Sequence, residues 1–287
     1  MADGFVLVDK ETGFTSRQVG SKIAHIFNEK TFGHIGTLDP MASGLIVIAL
    51  GNATKMIPFI EGKCEIKEYL FSIKWGIRTD TDDITGSVAE EGGRIPENDE
   101  IAGILTSFIG KYDQIPPVFS AKKVSGVPAY KLARKGIDVK LTPKQIEIYS
   151  LEFIDENIIK MQCSVGTYVR SVVRDIATKL GTVATCSMIR RTKTNGFDIK
   201  NAVRLDFLEN LSNNNGAFAD FLFAPDFGLD DIPVTKLEIK NAKLFSNGGF
   251  IPMIGNGLVR VYSDDLFIGM GEISDGVLKP KRIIKCR

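Results

Sequence analysis

Leu45–Leu50 reads LIVIAL, six apolar residues without interruption. A short continuous apolar run is the mark of a strand covered on both faces. The chain must therefore build a sheet and supply cover for it. Just before this strand lies GHIGTLDPMASG, Gly33–Gly44, with three glycines and a Leu-Asp-Pro triplet. A carboxylate at the mouth of a buried strand costs desolvation energy unless something uses it. Asp39 is thus the first residue that needs a reason.

The rest of the chain supplies the cover. GFVLVDK reads as a short strand, and Thr15 opens a helix with Gln18 completing a capping box. Val19, Ile23, Ile26 and Phe27 recur at helical spacing. YLFSIKWGI alternates, which places Tyr69, Phe71, Ile73, Trp75 and Ile77 on one face. TDTDDITG is a turn, and a helix is expected over about 98–108. YDQIPPVFSAKKVSGVPAYKLARKG, with three prolines and five basic residues, reads as a long loop ending in a short helix. Long loops in compact domains are usually functional or disordered. IEIYSLEFI and IIKMQCSV are strand-like. A helix over about 168–180 follows, with Val169, Val172, Val173, Ile176 and Leu180 inward and Gly181 as its stop. SMIRRTKTNGF returns as a strand, SNNNGAF near residue 212 is a linker-like turn, and short β-segments follow from about Val234. Strands and helices without a βαβ rhythm indicate α+β. The 287 residues, 44% hydrophobic, suffice for one large core or a large and a small domain. The composition shift divides the chain at about 230/231, so the first part should fold without the second.

Several function classes fall away. No stretch of about 18 apolar residues exists to span a membrane. The opening MADGFVLVDKETG lacks a secretory pattern, so a cytoplasmic protein is expected. Cys64, Cys163, Cys186 and Cys286 form no CxxC pair, and His25 and His34 are remote from them in sequence. Neither zinc nor disulfides are expected. No Walker A or GxGxxG pattern is present. In TDTDDITG, Ile84 stands at a calcium-ligand position and Gly86 falls one place late. The net charge is only +1, but it is unevenly spread. Lys111–Lys144 holds eight Lys/Arg against two Asp, and Lys160–Lys193 holds seven against one. Thr79–Glu100 holds eight acids against one Arg. Basic stretches of this kind suit phosphate backbones or are ordinary solvated surface.

Pro40 restricts Asp39 to extended geometry, while Gly33, Gly36 and Gly44 permit close approach of another backbone. Two readings follow: a structural Asp-Pro turn, or a rigid carboxylate for nucleophilic or general-base work. Arg170 sits in the first turn of its helix, where the dipole disfavours a cation. A buried carboxylate would compensate for it, and such a pair keeps an acid ionised.

GHIGTLDPMASGLIVIALGNATK resembles the signature of the bacterial tRNA pseudouridine-55 synthases, the TruB family. DKETGFTS, KEYLFSIKWGIRTDTDDITG, QIPPVFSAKKVSGVPAYKLARKG and CSVGTYVRSVVRDIATKLG resemble further family blocks in the same order. Together they cover most of residues 4–197. The C-terminal β-segments resemble a PUA module. Two departures stand out: Glu11 where the family commonly has Pro, and Ile35 where it usually has Thr. The resemblance implies a pseudouridine synthase fold, with a mixed, largely antiparallel central sheet flanked by helices and a small PUA-like module. It implies a catalytic domain over 1–230 with an RNA-clamping insertion at about 111–145, and an RNA-binding module over 231–287. By motif, Asp39 corresponds to the catalytic aspartate and Tyr69 to the tyrosine that packs on the target base. Tyr168 corresponds to an active-site tyrosine and Arg170 to the arginine that pairs with the aspartate. His34 matches a histidine that contacts RNA and helps hold the target loop open, and Lys10 a lysine near the active-site loop. Lys122, Lys123 and Arg134 fall in the clamp and are expected on the RNA backbone.

The implied substrate is the T-arm of tRNA, whose loop uridine is flipped out and isomerised. The implied enzyme is a monomer that needs no cofactor, metal or guide RNA. Asp39 would attack or deprotonate the nucleoside, at the ribose C1′ or the uracil C6, and both remain open. A guide-RNA-dependent relative resembling dyskerin would carry a long Lys-rich tail, unlike KPKRIIKCR. A non-catalytic RNA-binding or tRNA-folding protein on the same scaffold is the alternative, and the presence of all four active-site residues argues against it.

Overall fold

The apolar run forms the strand Ser43–Leu50, buried from Gly44 onward. In the computed structural model, which describes residues 2–62, 66–155, 158–214 and 217–284, it lies in the first of two compact units. That unit comprises residues 1–40, 44–64 and 195–287. The second comprises 41–43 and 65–194.

In the first unit Gly4–Lys10 pairs antiparallel with the buried strand, from Gly4 opposite Leu50 to Lys10 opposite Gly44. Phe32–Ile35 pairs with its far end, and Val203–Arg204 runs parallel to Gly4–Lys10, so the sheet is mixed. The helix Ser16–Ile26 begins at the expected capping box: Gln18 N–H donates to Thr15 Oγ1 at 3.2 Å and Thr15 N–H to Gln18 Oε1 at 2.8 Å. Val19, Ile23 and Phe27 are buried. Ile35, the second departure from the family pattern, fills the core with 0% exposure. Gly33 admits a side chain rather than a backbone, since a Cβ there would meet Ile57 Cδ1 at 2.8 Å. Gly36 and Gly44 adopt φ of 65° and 100°, a region glycine enters without steric cost.

Residues 234–283 build a sheet of their own. Val234–Leu237 runs parallel to Gly257–Ser263, which continues antiparallel through Leu266–Ser274 and Val277–Ile283 to the edge pair Ile251–Pro252. The helix Ile239–Ser246 covers it with Ala242 and Phe245. Two inward residues in eight give too weak a period to be read from sequence. Phe267, Met270 and Ile284 from this region join Phe5, Leu7, Leu45, Val47 and Leu229 in one hydrophobic cluster. The SNNNGAF turn differs from expectation. Leu205–Asn213 is helical, so Ser212 and Asn213 belong to its last turn, and residues 215–216 lie outside the described residues. Buried Leu205 and Leu208 and the first-turn Asp206 carry that helix through its polar end.

In the second unit five strands pair antiparallel in the order Ala184–Thr194, Lys67–Trp75, Ile158–Cys163, Lys144–Asp155 and Gly110–Gln114, apart from two smaller hairpins. Tyr69 and Phe71 are buried as the alternation requires, whereas Ile73 and Trp75 are half-buried. The helix Val169–Lys179 buries Val169, Val172, Val173 and Ile176, and Gly181 follows at φ 67°. The long loop contains a small hairpin, Lys123–Val124 with Val127–Pro128. Ser125 and Gly126 turn it with φ of 50° and 82°, as a type I′ turn needs. The short helix is Ala129–Ala133. Cys163 and Cys186 are buried free thiols, and burial pushes Cys163 up to about 12. Cys64 and Cys286 lie outside the described residues.

Candidate active site

In the first unit the half-buried Asp39 is placed by its chain neighbours. Ser16, 3% exposed, takes both backbone groups of Leu38: the amide donates to Ser16 Oγ at 2.9 Å, and Ser16 Oγ donates to the carbonyl at 3.1 Å. The carbonyl of Pro40 accepts from Gly13 N–H at 2.8 Å and from Lys10 Nζ at 3.3 Å. Lys10 is fully buried, and its ammonium also donates to the carbonyls of Phe14 at 2.7 Å and Glu11 at 2.9 Å. It thus fastens the 11–14 loop to the residue after Asp39. Glu11, the first departure, faces outward and accepts from Arg204 at 2.8 Å. His34 lies on the strand leading into the loop, with Nε2 3.1 Å from Thr37 Oγ1.

In the second unit Tyr168 is the N-cap of the Val169–Lys179 helix, with extended φ of −103° and ψ of 113°. Arg170, two residues on, is 3% exposed. Its guanidinium donates to the carbonyls of Thr81 at 2.7 Å and Phe119 at 3.0 Å. The buried carboxylate facing it within this unit is Asp83, at 3.7 Å. Asp83 is fixed in turn by Thr81 Oγ1 at 3.0 Å and the Thr85 amide at 2.9 Å. The acidic turn that is unsuited to calcium is therefore the seat of Arg170. Asp82 next to it pairs with Arg174 at 3.1 Å, yet burial holds its carboxyl above the usual range.

Tyr69, 6% exposed, stands directly opposite Arg191 on the neighbouring strand. Arg191 is completely buried and donates a hydrogen bond to the Tyr69 hydroxyl. Burial pulls the Arg191 pKa down, and Tyr69 works against that pull. Sequence reasoning passed over Arg191, Ser16 and Asp83. The available signal was an arginine in the same alternating phase as Ile189 of its strand. In the basic segment, Lys123 and Arg134 are exposed, and Arg134 lies 5.7 Å from the Tyr130 ring centroid. Lys122 donates to the Thr142 carbonyl at 2.8 Å, tying the interior of the segment to its C-terminal end. Among the described residues no three metal-ligating side chains gather, and no helix is long and apolar enough to cross a membrane.

Residues 24–169 match the family model described as TruB family pseudouridylate synthase, N-terminal domain. Residues 233–284 match the one described as Pseudouridine synthase II TruB, C-terminal. A protein of Bradyrhizobium diazoefficiens named tRNA pseudouridine synthase B is 37% identical, over 98% of this chain and 85% of its own. Its namesake in Aquifex aeolicus is 38% identical, over 98% of this chain and 99% of its own. A chain in a solved H/ACA RNP bound to a substrate RNA containing 2′-deoxyuridine superposes with a TM-score of 0.70 at 19% identity. That alignment covers 99% of this chain and 86% of the other, a likeness of fold.

Proposed function

The chain belongs to the TruB family of pseudouridylate synthases, and we propose that it converts the T-loop uridine of tRNA, position 55, to pseudouridine, with Asp39 as the nucleophile. The observation that carries this reading is the match to proteins named tRNA pseudouridine synthase B over 98% of the chain. That span includes both the Leu-Asp-Pro loop and the Gly-Thr-Tyr-x-Arg block.

The chemistry defines what each group must do. The target uridine leaves its stack at a cost of a few kcal/mol. Stacking on an aromatic side chain recovers about 1–3 kcal/mol, the role of Tyr69. The C1′–N1 bond breaks, the uracil turns, and a C1′–C5 bond forms. C5 loses a proton and N1 gains one, so the product is an isomer and atoms balance without a co-substrate. Asp39 acts as the carboxylate, held in place through Leu38 and Pro40. The fully buried Lys10 serves by holding that loop. Tyr168 and Arg170 bind the flipped nucleoside, and His34 contacts the RNA loop. Lys123 and Arg134 lie on the stem phosphates, joined by Lys122 where its bond to Thr142 leaves protons free. The 231–287 module adds RNA contacts, and the enzyme works as a cytoplasmic monomer without guide RNA, cofactor or metal. The test is an isolated T-arm stem-loop incubated with enzyme alone. One pseudouridine is expected, with little in the same sequence unable to form the stem. Equal modification of both would refute recognition of a folded arm.

A further inference from the structure

Gln114 is 1% exposed, and both ends of its amide meet the backbone of one residue. Tyr168 N–H donates to Gln114 Oε1 at 2.8 Å, and Gln114 Nε2 donates back to the Tyr168 carbonyl at 3.2 Å. The same nitrogen lies 3.1 Å from the Tyr112 hydroxyl. A primary amide that meets both the N–H and the C=O of one residue imitates the backbone of an adjacent strand. The residue held this way is the helix N-cap, whose carbonyl accepts the first helical bond from Val172 N–H at 3.1 Å. An N-cap is usually fixed by its own Ser, Thr, Asp or Asn oxygen. Tyr168 makes no such side-chain bond, so its backbone is set from outside.

Gln114 is also the last residue before the basic loop. The same helix grips the loop's entry. Ser171 Oγ and an Arg174 nitrogen both donate to the Ile115 carbonyl, at 2.9 and 2.7 Å, and Arg170 donates to that of Phe119. The root of the clamp is thus fastened to the first two helical turns, and Gln114 is the fastening aimed at Tyr168.

We propose that Gln114 is a positioning residue for the reaction: it fixes the backbone of Tyr168, and with it the direction of the ring, and couples that geometry to the root of the RNA clamp. The inference rests on the reading of Tyr168 as a substrate-binding residue.

Gln114→Glu tests it by chemistry. A neutral carboxyl can accept from the Tyr168 amide and donate to its carbonyl, as the native amide does. An ionised one only accepts, so the Tyr168 carbonyl keeps its bond from Val172 N–H but loses the one that pins it to the strand end, and faces a negative charge instead. The groups around this site are Tyr112, which burial and Asp175 hold above the ordinary phenol range, with Arg174, Asp175 and Cys163. The wild type shares all of them, so a ratio of rates isolates the introduced carboxyl.

Turnover and KM on the T-arm stem-loop are measured between pH 5 and 8 for wild type, Gln114→Glu and Gln114→Met, with circular dichroism confirming the fold. The Gln114→Glu to wild-type ratio of kcat should rise about tenfold or more as pH falls, because a misplaced binding group costs at least that order in rate. Gln114→Met should stay low throughout, with KM within about twofold of wild type. If Gln114→Met fails to fold, the Glu variant carries the test alone, since acid restores both bonds. A flat ratio, or a folded Gln114→Met with wild-type kcat, would overturn the proposal. A wild type inactive on the stem-loop would remove the functional reading itself, and this inference with it.

Discussion

Asp39 owes its position to atoms on either side of it in the chain. The Leu38 backbone is clasped by Ser16, and the Pro40 carbonyl by Gly13 and Lys10. Asp39→Asn keeps the shape and removes the charge, so pseudouridine formation should vanish while tRNA affinity is retained, as filter binding would measure. Ser16→Ala leaves a buried N–H and C=O unmatched, at about 1–3 kcal/mol each, and should lower both the melting temperature and kcat. Tyr69→Ala should depress turnover far more than affinity, because in the proposed reaction the ring stacks on the flipped base while phosphates supply most of the binding. A variant with normal turnover and weak binding would make Tyr69 only a binding residue. At this scale the sequence displayed residues whose meaning is local: Asp39 before Pro40, and Thr15 three before Gln18. It hid Ser16 and Arg191, whose partners lie 22 and 122 positions away. No local pattern encodes such a separation.

Among the elements, the Lys67–Trp75 strand carries two opposed duties. Tyr69 faces Arg191, while its neighbour Glu68 binds the two flanking strands. Glu68 accepts from Thr192 Oγ1 at 2.8 Å and Gln162 Nε2 at 2.9 Å, with Lys160 at 3.4 Å and Lys193 at 3.7 Å. Burial alone pushes its carboxyl up, but those bonds and ammoniums outweigh burial and hold it below its ordinary 4.5. A depressed folded pKa gives stability that is present above the unfolded value and lost as pH falls through the folded one. Glu68→Gln should therefore be less stable than wild type near neutrality, and the gap should close below about pH 4.5, read by urea unfolding at several pH values. In the clamp, neutralising Lys122, Lys123 and Arg134 should flatten the slope of log affinity against log salt. Lys122 should contribute least, since it is already bonded to Thr142. An unchanged slope would mean that the segment is not a phosphate clamp. Elements with strong periods were legible, whereas Leu205–Asn213 and Ile239–Ser246 were not, because each buries only two residues.

At the scale of the molecule, composition suggested a detachable C-terminal part, and the packing argues otherwise. Phe267, Met270 and Ile284 lie in one cluster with Phe5, Leu7 and Leu45 of the N-terminal strands. Losing large buried side chains costs about 2–5 kcal/mol each, against a total stability of about 5–15 kcal/mol. A chain ending at residue 230 should therefore be insoluble or melt far below the full chain in calorimetry. A linker-like sequence at a boundary reports composition and says nothing of which apolar faces meet. The central claim, that this chain isomerises one tRNA uridine through Asp39, is tested most directly on an unmodified tRNA transcript mapped for pseudouridine after incubation with enzyme alone. A single pseudouridine in the T loop with wild type, and none with Asp39→Asn, is the predicted result. An unmodified T loop with wild type, or appreciable conversion by Asp39→Asn, would contradict it.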